Sequence, residues 1–500
     1  MVRVMESRYE WEPYMMLVPS AIRRTRPPPR LATTQLVIIA CCCAIALILG
    51  LMIPWAEANH SLGYIVGGIG VVFIVGVLAF VPVRTLPAIA LLVSLLIPAE
   101  AAFLPKLLEG AALGVVPLAI WMIRARGRLR APRHLRCLAV LFGAWLIASE
   151  IFAPLRTKHG VEWFVVVEIT LVLAIIKTPS GFGIRDVRSL FLRVTTVLGI
   201  YALVEGFILH FNPLFSSLFE HTNWWGNQRF NASYRVTTLL GHPLDNGLVF
   251  SAAAVLAASE VMERRDKMAM PLVRLAILVG AVAATHERGS VIGLAVGWMI
   301  VMLFTRAQRH SKARGQSVRR VVLLTGAVVG VAVLISGLQA RSESSQGRAS
   351  ALVREAVVAR TTEALHGIEL FGAGPGEVDS YREIKHLGTS SVTLENSYAE
   401  IVVDIGPIGA LIGVILLLAI VITGLRTPLM VGETAALAAI LVDIGGYNAI
   451  QGQRPVLVII SLLIISIITG VDMTRKRSSV RPDASSVEAR TITDVASAAS

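Results

Sequence analysis

Run after run of uncharged, apolar residues, each about 17–25 long, punctuates this chain, and each is long enough to cross roughly 30 Å of hydrocarbon as a helix. In lipid every backbone N–H and C=O must be paired within its own segment, so the expected fold is all-α. Spans are read at 34–54, 62–82, 86–104, 107–123, 135–154, 161–177, 187–211, 238–260, 270–286, 290–305, 321–338, 396–424, 431–448 and 455–472. The fold class is an all-α integral membrane protein, a polytopic bundle of about 12–14 transmembrane helices with one large extracytoplasmic loop. Composition agrees: 55% of residues are hydrophobic and only 16% charged, where a soluble chain carries nearer a quarter.

The formal charge of +13 does not point to nucleic acid, because Lys and Arg fall in short clusters between the apolar runs. Arg124–Arg136, Arg264–Lys267, Arg306–Arg320 and Arg475–Arg477 all share one side if the spans alternate. That side is the cytoplasm by the positive-inside rule, and both termini then lie there. The start, with Arg23, Arg24, Arg26 and Arg30, reads as a basic cytoplasmic lead, not a signal peptide. Cys41, Cys42 and Cys43 lie within the first span and Cys137 beside a basic loop, so neither a disulfide nor a thiolate metal site is implied.

Six regions follow: 1–33, a basic cytoplasmic segment; 34–211, N-terminal spans; 212–338, core spans; 339–395, the large outer loop; 396–472, the last spans; and 473–500, a disordered cytoplasmic tail. The expected location is the bacterial inner membrane.

A charge near a span end is costly unless it lines water or meets a partner. Arg235 precedes the eighth span, Arg288 sits at the turn between the ninth and tenth, and Glu395 opens the twelfth; alternation brings all three to the outer face. Two guanidinium forks suit the oxygens of a diphosphate, and a carboxylate held by Asn396 suits the activation of an acceptor hydroxyl. The plainer reading makes the arginines interfacial anchors and Glu395 a first-turn residue favoured by the helix dipole.

Four stretches in residues 200–450 resemble the O-antigen ligase and O-antigen polymerase family of bacterial membrane glycosyltransferases. These are Arg235 with Gly241-His242-Pro243; Glu287-Arg288-Gly289-Ser290; Leu370-Phe371-Gly372-Ala373-Gly374-Pro375-Gly376; and Asn396-Ser397-Tyr398 with Asp404-Ile405-Gly406 and Gly409. The resemblance implies that Arg235 and Arg288 bind the diphosphate of a polyprenyl-diphosphate-linked glycan. It also implies acceptor activation at the start of the twelfth span, no cofactor and a metal-independent reaction. Leu244 replaces the family's asparagine after His-Pro, and Glu395 stands where the ligases carry histidine, which favours a polymerase over a ligase.

The expected catalytic residues are therefore Glu395 and Asn396, with Arg235, Arg288, Tyr398, His242, Trp224 and Trp225 binding substrate. Trp224 and Trp225 serve equally as interfacial belt residues, and His286 as an interfacial histidine. Glu168 and Glu205 are read as facing a cavity near Arg235 or pairing with a neighbouring helix, and Glu400 and Asp404 as facing the bundle interior. Glu377 and Asp379 form only a loose acidic pair. Expected partners are the lipid-linked donor, a glycan acceptor, the bilayer and other polysaccharide-assembly membrane proteins. The rivals are a ligase acting on a finished glycan, a transporter of lipid-linked glycan and a scaffold without chemistry.

Overall fold

The computed structural model describes residues 76–96, 110–125, 129, 131–153, 172, 175, 183–213, 234–263, 268–305, 370–376, 396–446 and 456–480. Among them there is helix and connecting loop but no strand. The helices are α1 (Leu86–Leu96), α2 (Gly110–Arg124), α3 (Arg133–Phe152), α4 (Ile184–Val204), α5 (Pro243–Glu263), α6 (Ala269–Thr285), α7 (Arg288–Phe304), α8 (Ser397–Leu425), α9 (Val431–Asp443) and α10 (Val456–Val480). A π-turn, Glu205–Leu209, prolongs α4 and ends at His210 in the left-handed region. Six of the described helical segments are long and apolar enough to cross a membrane. The expected spans at 34–54 and 321–338 and most of those at 62–82 and 161–177 lie outside the described residues.

α5 occupies the middle. Nearly every residue from Pro243 to Val261 is buried, and α4, α6, α7 and α9 pack around it. Its middle, Gly247 to Ala258, holds no charged residue and only Ser251 as a polar one, as burial on every side requires, while its polar residues gather at the two ends. The tightest neighbours are α7 and α9, and the sequence shows why. Gly289, Gly293 and Gly297 form a stripe at four-residue spacing, facing Asp443, Ala439 and Ala435 of α9. A Cβ on Gly293 would come within 2.5 Å of the Ala439 carbonyl oxygen. Small residues at this spacing let two backbones approach without lipid between them.

One end of this bundle is tied by charge. Arg188 of α4 bridges Glu263 of α5 and Glu433 of α9, each at 3.3 Å, and donates to the Leu256 carbonyl at 3.1 Å. Arg274 of α6 meets Glu260 of α5 at 3.0 Å. The candidate site lies at the other end.

Two boundaries are corrected. The span expected at 238–260 starts at Pro243, because residues 234–242 form a loop with Thr238 and Gly241 at positive φ. The tail expected from 473 is helical as far as Val480, where α10 continues with Lys476 paired to Asp472 at 2.7 Å one turn back.

Candidate functional site

The site is built outward from Glu205. Its buried carboxylate accepts from the Tyr234 hydroxyl at 2.6 Å, the Thr237 amide at 2.7 Å and the Thr238 amide at 3.1 Å. Asn212 donates to Thr237 Oγ1 and to the Thr238 carbonyl, and Tyr201 donates to Asn212 Oδ1. From the opposite side, Asn246 of α5 donates to the carbonyls of Thr237 and His242. Burial first, then the Glu205 charge, pushes the Tyr234 phenol well above its ordinary range, so it remains a donor. Buried polar groups satisfied from three sides make loop 234–242 a rigid mount.

Arg235 projects from that mount. Its Nε donates to the Thr285 carbonyl at 3.1 Å, and its Nη2 to Glu287 Oε2 at 2.6 Å. Glu287 also caps α7, accepting from the Gly289 amide. The turn between α6 and α7 is closed by His286, exposed and in the left-handed region. Arg288, half-buried, is the first residue of α7 and thus stands beside the Arg235–Glu287 pair.

Ser290, one turn on, donates to Asp443 Oδ2 at 2.7 Å. Gly289 is required here, because the place of its missing Cβ is taken by Asp443 Oδ1. Asp245 at the start of α5, Glu287 at the cap of α7 and Asp443 at the end of α9 are all buried.

α9 carries the connection to α8. Tyr398 donates through its hydroxyl to the Leu441 carbonyl, and its ring lies 3.4 Å from the place of a Cβ on Gly445. Asn396 is the N-cap of α8: its Oδ1 accepts from the amides of Tyr398 and Ala399 at 2.9 and 3.2 Å.

α8 then breaks at Gly406, with φ 74° and ψ 165°, followed by Pro407. Proline has no N–H to return to the Val403 carbonyl, and a break orphans the carbonyls of the turn before it. Three of them are answered from outside the helix. Ala373 N donates to Val403 O at 2.8 Å, Gly374 N to Asp404 O at 2.9 Å, and Trp145 Nε1 of α3 to Ile405 O at 2.8 Å. Ser149 fixes the same segment by donating to the Phe371 carbonyl, and Trp145 stacks on Phe371 with centroids 5.2 Å apart. Gly372 and Gly406 meet where neither can carry a side chain: a Cβ on either would strike the backbone of Asp404 or Leu370.

The four sequence stretches are thus linked in two pairs, which α9 joins. Arg235 joins Glu287, Ser290 joins α9, α9 joins Tyr398, and Leu370–Gly376 joins the break in α8. Glu395, Trp224, Trp225, Glu168, Glu377 and Asp379 lie outside the described residues. His242 accepts from the Leu244 amide at 3.3 Å at the start of α5. Glu205 points into the mount of Arg235, and Glu400 and Asp404 are buried. Arg235, expected to bind a diphosphate, carries Glu287 as a partner within the protein. Missed altogether were Asp245, Asn246 and Asp443; an acid inside an apolar run is a signal, and Asp443 in LVDIGG carried it. Among the described residues no group of His, Cys, Asp and Glu side chains is arranged to hold a metal ion.

Beside this polar end an apolar cavity of about 290 Å³ runs along α8. Tyr398 and Leu441 line its near part, Phe142 and Ile460 its middle, and Gly413 and Leu417 the stretch beyond the break. Compared with known proteins, the chain matches no family model and has no significant similarity to a curated protein.

Proposed function

We propose that the chain is a membrane glycosyltransferase that polymerises polyprenyl-diphosphate-linked repeat units on the extracytoplasmic face. The observation that supports the reading is that Arg235 pairs with the Glu287–Ser290 turn, Leu370–Gly376 pairs with the break in α8, and α9 bridges the two through Ser290 and Tyr398. In this reading that end faces outward, the Arg188 end and both termini face the cytoplasm, and residues 339–395 roof the site.

The donor's diphosphate competes with Glu287 for Arg235 and is held also by Arg288. Charge-assisted bonds of this kind contribute on the order of 1.5–3 kcal/mol each. The acceptor hydroxyl attacks the anomeric carbon of the donor glycan; the bond from that carbon to the diphosphate oxygen breaks, and the electron pair leaves with the diphosphate. Glu395, which precedes the N-cap residue Asn396 in sequence, takes the hydroxyl proton.

The test is to incubate purified protein with a polyprenyl-diphosphate oligosaccharide, with and without chelator, and to resolve lipid-linked products. Elongated products in both arms support the reading, and unchanged donor in both removes it. A ligase of the same kind is distinguished in cells, where its loss leaves long chains on the carrier lipid whereas loss of a polymerase leaves single units.

A second reading, proton- or cation-coupled movement of a lipid-linked glycan, is favoured by one observation. Glu287 sits on Arg235, and Asp443, buried against Ser290, adds a second acid at the same end of α7; both oppose an anionic ligand. Transfer of labelled donor across a proteoliposome membrane without a change in its length would select it.

A further inference from the structure

We propose that the end of α9 is a gauge that spaces the donor arginines from the start of α8, with Asp443 and Tyr398 as its two positioning residues. The inference rests on the transferase reading and deepens it: Tyr398, expected to bind substrate, acts through α9 instead.

Asp443 grips the donor half. Ser290 Oγ donates to Asp443 Oδ2 at 2.7 Å, and Asp443 Oδ1 occupies the place of a Cβ on Gly289. Both gripped residues follow Arg288 directly in the first turn of α7, and Glu287, the cap of that helix, holds Arg235. One carboxylate thus sets where both arginines stand relative to α9. Ser290 and Asp443 are buried, and an acid within a span is costly where packing alone is needed. An apolar side chain would serve packing better.

The acceptor half is gripped two residues earlier. α9 passes into a tight turn at Ile444–Gly446, and a helix end leaves its last carbonyls short of intrahelical N–H groups. The Tyr398 hydroxyl answers the carbonyl of Leu441, and its ring packs on Gly445. Tyr398 stands two residues beyond the N-cap Asn396, so this contact fixes the first turn of α8.

Leu441 and Asp443 are about 3 Å apart along the helix axis. α9 is held against sliding: it is buried from Val431 to Ile440, and a Cβ on Gly293 of α7 would strike the Ala439 carbonyl. Both halves therefore hang from one short, fixed piece. In a two-substrate transfer the attacking oxygen must come within about 3–3.5 Å of the anomeric carbon, and an error of about 1 Å costs on the order of a hundredfold in rate. A constant spacing of the halves supplies that approach.

The experiment uses the full chain in phospholipid nanodiscs with a polyprenyl-diphosphate oligosaccharide. Tyr398→Phe keeps the ring on Gly445 and removes only the hydroxyl; Ser290→Ala removes the other tie. Each is expected to lower kcat about tenfold with donor Kd within about twofold. The double variant should fall little further, because either loss alone uncouples the halves. Asp443→Asn still accepts from Ser290 and should stay within about threefold of the parent. Spin labels on His286→Cys and Val402→Cys, in a chain without its four native cysteines, report the spacing itself. Their distance distribution should broaden in Tyr398→Phe and in Ser290→Ala, and not in Asp443→Asn. Weaker donor binding or a raised acceptor KM in Tyr398→Phe, with the distances unchanged, puts the hydroxyl on substrate and overturns the proposal. Unchanged kcat in both single variants, or losses that multiply in the double variant, overturn it as well. If the distances respond but the parent elongates no donor, the transferase reading fails and the link through α9 stands.

Discussion

Arg235 Nη2 and Glu287 Oε2 lie 2.6 Å apart, although 52 residues of chain separate them. The pair closes the α6–α7 turn onto the loop before α5, and both side chains are largely buried. A buried pair of this kind contributes little net stability, but losing one member leaves the other charge uncompensated.

Arg235→Ala should therefore destabilise the protein by about 3–5 kcal/mol, and Glu287→Ala by a similar amount. The double variant should cost clearly less than the two single losses added together. Thermal unfolding of the four proteins in one detergent checks this, and simple additivity would show the pair to be uncoupled.

Glu287→Gln keeps the shape of the cap on α7 but releases Arg235. If the site binds diphosphate, the variant should bind a polyprenyl diphosphate about tenfold more tightly, while Arg235→Lys should bind it more weakly. Equilibrium binding of a labelled carrier lipid measures both. Tighter binding in neither variant argues for the coupled-transport reading.

Much of the bundle could be read in advance from hydropathy, because span length and apolar content are imposed by the bilayer itself. The site was legible only as residue types. Arg235 and Arg288 are charges at span ends and stand out, but the partner of Arg235 at Thr285 is a backbone carbonyl, which no sequence pattern marks. The break in α8 had a signal, Gly406 before Pro407, yet the mostly apolar residues on both sides, with only Glu400 and Asp404 charged among them, read as one span. Glu205 was noticed as a buried acid; its task of holding Thr237 and Thr238 depends on a loop conformation that becomes visible only in three dimensions.

Glu205→Gln replaces one accepting oxygen with a donor facing a Tyr234 hydroxyl and two amides. The loop must shift, and Arg235 with it. A loss of about 2–3 kcal/mol in stability is expected, together with a fall in carrier binding, since an unpaired buried polar group costs that order of energy. Restored binding in Glu205→Asp, with its shorter reach, would show that the mount does not set the position of Arg235.

Trp145→Phe preserves the stack on Phe371 but removes the donor to Ile405 O. One carbonyl in the break is then unsatisfied, at about 1–3 kcal/mol. Limited proteolysis should cut within residues 339–395 faster than in the parent, and Gly372→Ala should have a larger effect because its Cβ strikes the Asp404 backbone. Equal cleavage rates in all three proteins would mean that this anchor does not hold the loop.

Before α8 can rest in lipid, its interrupted turn needs partners contributed by two other parts of the chain, α3 and Leu370–Gly376. During biogenesis the segment preceding α8 must therefore dock together with it, against a helix inserted long before, so the final third of the molecule has no independent route to a finished state. Chains cut between 376 and 396, or halves expressed separately, are expected to reassemble only when both pieces occupy the same membrane.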